Sequence, residues 1–289
     1  MINPVHFTRL LKRHGIWLNK RLGQHLLVDA GVLERVAEAS GAGAGTHVVE
    51  IGAGAGHLTA LLALCGARVT AIELDERFAA LHREVFRRWP EVSERVEFRY
   101  TDALDFDYAA EAEATRARGE RFLIAGNIPY HITSPLLMRI AESGAEFERM
   151  TLLMQREVAE RIAVPHGGRA SGAITIKLQY YCDVEPLFLV NRRAFLPPPQ
   201  VDSQLVAFRR RSAPLPEDRR PRFFRLVEGA FAQRRKMLPN AVAAAGLGYS
   251  KSAVEEALAA LGRPATTRAE ELGLEEFLAL FERLPPPRS

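Results

Sequence analysis

Cysteine is nearly absent: 289 residues hold only Cys65 and Cys182. The two stand far apart in apolar surroundings. A disulfide framework and a zinc cluster are therefore not expected, and two packed thiols in a reduced, cytoplasmic protein are. No run of about 18 apolar residues is present, so no membrane span is expected. The opening stretch MINPVHFTRLLKRHGIW has neither the apolar centre nor the small-residue cleavage site of a signal peptide. Lysine is scarce, five against 34 arginines, and no internal repeat occurs. What the chain does have is apolar content, 47%, enough for a real core in one domain of ordinary size and a smaller one.

The net charge of +4 hides an uneven distribution. Residues 1–40 carry six Lys/Arg against three Asp/Glu, and residues 205–240 carry ten against three. The stretch between, 41–190, carries 16 against 21 and is net acidic. Basic flanks on an acidic centre suit a polyanionic partner that touches the flanks. A solvated charged face explains the same numbers equally well.

From about residue 47 onward, short apolar runs (HVVEIGA, RVTAIELD, VEFRYTDA, FLIAGNI, MTLLMQ) alternate with stretches of helical spacing (HLTALLALCG, ERFAALHREVFRRW, TSPLLMRIAESG). Strands apolar on both faces, separated by helices, predict an α/β fold with a parallel sheet covered by helices. The later stretches AITIKLQYYCDVEPLFLV and SQLVAFRR are expected as a pair of antiparallel strands ending that sheet. LPPPQ stiffens a loop, and RRRSAPLPEDRRP near 209–221 reads as a linker. RFFRLVEGAFAQRRKML, SKSAVEEALAALG and LEEFLALFERL then predict a small all-helical domain. The expected organisation is a basic leader and helix over 1–40, a catalytic domain over 41–211, a helical domain over 212–284 and a disordered tail over 285–289.

Chemistry concentrates where strands end. VVEIGAGAGHLTALL places Gly52, Gly54 and Gly56 between a strand and a helix, where glycine lets the backbone turn and approach a ligand. Glu73 ends the next strand, 21 residues beyond Gly52, where a carboxylate can accept from ribose hydroxyls. Asp102, in YTDAL, ends the third and can accept from an adenine amino group. A dinucleotide fingerprint wants Gly or Ala where this chain has His57. The Glu-x-Gly-x-Gly-x-Gly form suits S-adenosylmethionine better, because that cofactor brings no phosphate to the helix N-terminus. A nucleotide cofactor for hydride transfer remains the alternative. AGNIPYHITSP follows the strand RFLIAG; it is either a turn with a packed Tyr or a pocket for a planar base.

In order along the chain, LGQHLLVD, VVEIGAGAGHLT, AIELD, TDAL, GNIPYHITSPLL, LLMQREVAERI, AFLPPPQVDS and FAQRRKML resemble the KsgA-type small-subunit ribosomal RNA adenine dimethyltransferases over nearly the whole length. The resemblance implies a Rossmann-like class I methyltransferase sheet with a smaller helical C-terminal domain. It implies contacts to S-adenosylmethionine from His25, Leu27, Gly52, Gly54, Glu73, Asp102 and Asn127. His25 stands where many relatives have Asn, Leu26 where they have Phe, and Ile128 where they have Leu. The last difference leans toward the related large-subunit resistance enzymes; PPPQVDS and the helical tail lean back.

On this reading, the Asn127 side chain and the Ile128 carbonyl accept the two hydrogens of an adenine N6, Pro129 stiffens the loop, Tyr130 stacks on the base and Phe195 covers its other face. The loop has no cysteine for covalent attack. Lys12, Arg13, Lys20 and Arg21 in the leader, and Arg234, Arg235 and Lys236 on an expected helix, would hold phosphates. The implied partner is 16S rRNA in a precursor small (30S) subunit, the implied product a pair of adjacent dimethyladenosines near its 3′ end, and the expected state a monomer without metal. A pure assembly factor and a large-subunit methyltransferase are the rival readings.

Overall fold

In the computed structural model the described residues are 4–18, 23–164 and 167–285. They divide into two compact units, one of 1–159 with 184–210 and one of 160–183 with 211–289. The division after Arg210 lies beside the expected boundary at 211. The stretch 160–183 does not follow expectation, because it leaves the catalytic unit for the second one.

The chain opens with α1 (Pro4–Arg13), a helix inside the leader that was not expected, and then the two-residue β1 (Leu26–Leu27). Helix α2 (Ala30–Ser40) starts where expected. Asp29 caps it by accepting from the Val32 N–H at 3.0 Å, and Gly41 ends it at φ +77°. Then β2 (Thr46–Ile51), α3 (His57–Leu64), β3 (Arg68–Glu73), α4 (Phe78–Phe86), the single turn α5 (Pro90–Ser93) and β4 (Val96–Tyr100) follow. Helix α6 (Tyr108–Ala117), β5 (Arg121–Asn127), a 3₁₀ turn (Tyr130–Ile132), α7 (Thr133–Glu142), β6 (Arg149–Gln155), α8 (Arg156–Ile162) and α9 (Ala173–Tyr181) come next. Strands β7 (Cys182–Val190), β8 (Phe195–Leu196) and β9 (Ser203–Arg210) precede α10 (Arg220–Phe231), α11 (Leu238–Ala244), α12 (Lys251–Ala260) and α13 (Leu274–Arg283).

The seven-stranded sheet runs β4-β3-β2-β5-β6-β9-β7. Its first five strands are parallel, and β9 pairs antiparallel with β6. All five expected parallel strands are present. Every residue of the central β2 is buried, as a strand covered on both faces requires. The order reverses between β2 and β5, so their carboxyl ends border the crevice where sheets of this kind bind ligands. Gly126 permits this pairing: a Cβ there would run into the Ile51 carbonyl oxygen across the strand pair.

Two expectations about elements fail for physical reasons. Residues 173–181 are helix rather than strand. Residues 174–180 alternate apolar Ile174, Ile176, Leu178 and Tyr180 with Thr175, Lys177 and Gln179, the two-residue period of a strand, so nothing local marked the segment as helical. Tyr180 and Tyr181 pack edge-on against Phe224 of α10, and Phe223 against Phe281 of α13, forming an aromatic core for the second unit. Arg234, Arg235 and Lys236 lie in turns between α10 and α11, not on a helix. Pro239 sits in the first turn of α11, where its missing N–H costs nothing and its fixed φ suits a new helix start.

Cys182 is buried, but Cys65 is exposed, against expectation; it caps α3 at the surface. No helix of the described residues is long and apolar enough to cross a membrane. The expected leader contacts Lys20 and Arg21, and residues 286–289 of the expected tail, lie outside the described residues.

Candidate active site

A cleft of about 470 Å³ opens at the carboxyl ends of β2, β3, β4 and β5. That volume falls in the range of small-molecule sites, roughly 300–1,000 Å³. Its walls include His25, Gly52, Gly54, Glu73, Asp102 and Asn127, all expected cofactor contacts. Ile51, Ile72, Leu74 and Ala103 add apolar surface, as a nucleoside ring needs.

The floor is a glycine turn. Gly52 sits at φ +77°, and a Cβ on it would lie 2.9 Å from the Asn127 carbonyl oxygen. A side chain is therefore excluded twice, by dihedral and by space, and the backbone is left bare to a ligand. Glu73, 8% exposed, accepts from the Gly54 N–H at 2.7 Å with one oxygen and from the Asp75 N–H at 3.0 Å with the other. Burial pushes its carboxyl above the usual range, and these backbone bonds oppose that push. Each oxygen keeps lone-pair capacity for a hydroxyl.

Asp102 lies two residues past the end of β4 rather than in the strand. It accepts from the Leu104 N–H at 2.8 Å, which turns the carboxylate at the cleft wall. Asp75 binds Arg77 at 2.8 Å and Gln24 at 2.9 Å. The Arg77 side chain holds its carboxyl below the ordinary value. Neither Gln24 nor Arg77 was expected at the cleft. Gln24 lies inside the LGQHLLVD motif, which was the available signal.

At the mouth, the Asn127 amide nitrogen donates to the His25 carbonyl at 2.7 Å. That bond fixes the flip of the amide and leaves Oδ1 as the acceptor. His25 donates from Nδ1 to the Pro197 carbonyl at 2.7 Å. The Tyr130 ring lies 5.8 Å from the His25 ring at 23°, and its hydroxyl is 2.7 Å from the Ser203 hydroxyl. Pro129, His131 and Ile132 line the cleft, while Tyr130 stands beside it, half-buried, and Ile128 is buried.

Three expected site residues are placed elsewhere. Phe195 is 2% exposed and belongs to the hydrophobic core, where it pairs with Leu27 across the β1–β8 ribbon. In this structure it is a core aromatic. Leu27 shares that core position and does not line the cleft; Leu26 does. The alternation of a strand explains the exchange, since neighbouring side chains point to opposite faces. Arg13 is bonded to Glu84 of α4, as is His14 at 2.8 Å. These bonds tie the leader to the body and give the exposed Arg13 a carboxylate partner. Lys12 is exposed.

The pattern of a ribosomal RNA adenine dimethylase matches residues 16–284. The chain belongs to the ribosomal RNA adenine dimethylase family. Among curated relatives, ribosomal RNA small subunit methyltransferase A of Desulfitobacterium hafniense is 39% identical, covering 98% of each chain. The protein of that name from Anaeromyxobacter sp. (strain K) is 40% identical over 95% of this chain and 96% of its own. Among solved structures, the 23S rRNA methyltransferase ErmE is 29% identical with a TM-score of 0.70, covering 90% of this chain and 99% of that one. A dimethyladenosine transferase from Plasmodium falciparum is 25% identical with a TM-score of 0.72, covering 89% and 96%. Family membership places the Asn-Ile-Pro-Tyr loop in a methyltransferase, and the hydride-transfer alternative falls away.

Proposed function

We propose that this chain transfers methyl groups from S-adenosylmethionine to N6 of two adjacent adenosines near the 3′ end of 16S rRNA, within a precursor small ribosomal subunit in the cytoplasm. The observation that carries the reading is the convergence of Gly52, Glu73, Asp102 and Asn127 on one cleft at the switch point of a family fold. The donor set fits the cofactor: a bare glycine backbone, a carboxylate with spare lone pairs for a ribose and a second carboxylate for an adenine amino group. Bound there, S-adenosylmethionine supplies an electrophilic methyl on its sulfonium.

The chain's own residues supply orientation. N6 of adenine is a weak nucleophile because its lone pair is delocalised into the ring. Asn127 Oδ1 and the Ile128 carbonyl accept its two hydrogens and turn the lone pair toward the methyl as the nitrogen pyramidalises. The Nδ2 bond to His25 keeps the Asn127 oxygen in position while this happens. Tyr130, held by Ser203, offers a ring face to the unstacked base. After the first transfer only one N6 hydrogen remains, so the second transfer relies more on stacking. Exposed Lys12, Arg235 and Lys236 hold phosphates. Among the described residues no cluster of three His, Cys, Asp or Glu could hold a metal ion.

Labelled S-adenosylmethionine incubated with small subunits lacking adenine dimethylation is expected to give dimethyladenosine after digestion. Large subunits and premethylated small subunits should stay unlabelled. Label in the large subunit would move the activity to the class of ErmE, the second reading favoured by that structural likeness and by Ile128. Binding without label would leave an assembly factor.

A further inference from the structure

Gly54, one of the loop's three glycines at positive φ (+52°), has side chains holding both peptide planes that flank it. Its N–H belongs to the plane shared with Ala53 and donates to Glu73 at 2.7 Å. Its carbonyl belongs to the plane shared with Ala55 and lies 2.8 Å from Nε2 of His82. A carbonyl only accepts, so Nε2 carries the proton and Nδ1 is the acceptor. The Tyr100 hydroxyl lies 2.9 Å from Nδ1 and donates to it. The imidazole is 1% exposed, stacks on Phe98 at 3.9 Å and 14°, and has Phe78 at 6.0 Å. Burial drives its pKa down to about 4, so near neutrality the ring is uncharged, the form in which Nδ1 can accept from Tyr100 while Nε2 donates to Gly54. His82 does not line the cleft, and whatever it does there passes through Gly54.

We infer that His82, backed by Tyr100, is a positioning residue for cofactor binding: it pins the Gly54 carbonyl so that the Gly54 N–H keeps the Glu73 carboxylate aimed into the cleft. The inference rests on the cofactor reading proposed above. The physical gain is preorganisation. A glycine held at both planes loses its freedom during folding, and the ligand need not order it on binding. Without the imidazole the Gly54–Ala55 plane can rotate, Glu73 loses its partner for part of the time, and binding must restore both.

The test is calorimetric titration of the full chain with S-adenosylhomocysteine, without RNA. His82→Leu is expected to weaken the affinity roughly tenfold. His82→Gln, whose Nε2 can reach the same carbonyl, should recover most of that loss. Phe98→Leu serves as the control. It removes the stacking partner, lowers the melting temperature and leaves the affinity at the wild-type value. A His82→Leu chain that binds as the wild type does overturns the inference, as does a Phe98→Leu chain that loses as much affinity. If His82→Leu does not fold, the tautomer of the wild type decides: a long-range ¹H–¹⁵N spectrum at pH 7 must show the His82 proton on Nε2, and a proton on Nδ1 overturns the inference. A wild-type chain that takes up no S-adenosylhomocysteine overturns the cofactor reading itself, a result distinct from either failure above.

Discussion

The two ends of β2 bury polar groups in opposite ways. At the amino end His47, 1% exposed, has Thr115 at 2.6 Å and Arg118 at 2.9 Å from Nδ1, and Thr70 at 2.9 Å from Nε2. Glu111 stands 3.6 Å away and is itself bonded to Arg99. Side chains satisfy side chains there, and the network closes on itself. At the carboxyl end Glu73, Asp102 and Asn127 are held mainly by backbone groups, and their remaining capacity points into a cleft. A closed network stabilises a fold, while an incomplete one held rigid is ready for a ligand.

The largest effect should separate the two ends by activity. Asn127→Ala is expected to lower single-turnover methyl transfer by about 100-fold or more, since orientation is what it supplies. Its melting temperature should fall by only about 2–4 °C, the cost of one hydrogen bond in a chain of this size. A loss of stability to match the loss of rate would erase the distinction. Next, Glu73→Ala should weaken S-adenosylhomocysteine binding by roughly ten- to hundredfold in a titration, the worth of a charged hydrogen-bond acceptor. It should leave RNA binding intact in a filter assay.

At the amino end, His47→Leu leaves the Thr70 hydroxyl without its partner, while Thr115 keeps Arg118 and the Glu111 carbonyl, and Glu111 keeps Arg99. A loss of about 1–3 kcal/mol in denaturant unfolding is expected, with turnover per folded molecule unchanged. The pH dependence sharpens this. Burial lowers His47 from 6.5 to about 4, so its contribution is full above pH 6.5 and is lost as pH falls toward 4. Burial raises Glu50, one residue from the carboxyl end of β2, from 4.5 to about 8. Its contribution has the opposite sign: full below pH 4.5 and lost as pH rises through about 8. Unfolding midpoints across pH 4–9 should show the acid-side slope shrink in His47→Leu and the alkaline-side slope shrink in Glu50→Gln. The smallest effect concerns phosphate contacts. Arg235→Ala and Lys236→Ala should each reduce the salt dependence of RNA binding by about one charge. Arg234→Ala should reduce it less, because that guanidinium already donates to the Arg169 and Ser171 carbonyls at 3.0 and 3.3 Å.

The same contrast marks what could be read in advance. The five parallel strands were legible because each is an apolar run bounded by turn residues. The cleft was legible because Gly52, Glu73, Asp102 and Asn127 each terminate such a run. Helix α9 was not, because its residues alternate apolar and polar over 174–180 and so carry a strand's period rather than a helix's. That the Phe195 and Leu27 side chains are buried was not legible, because a motif says which residues belong together, not which face of a two-residue ribbon each presents. The Arg13 pairing was not legible because its partner Glu84 lies 71 residues away. His82 had a faint signal, lying on the stripe of Phe78, Leu81 and Phe86 that α4 buries. Histidine at such a position is commonly a packed core residue, and nothing local tells one use from the other.

Local chemistry, by itself, determined the alternation of strands and helices, the bare glycine turn and the set of groups that end the strands. Those features depend on periodicity, backbone freedom and residue type, all properties of neighbours along the chain. Only the tertiary structure decided which aromatic is core, which cation is already engaged, and that an imidazole on α4 closes over Gly54. Those depend on hydrogen bonds and packing between segments far apart in the chain, and burial and pairing are properties of the folded whole.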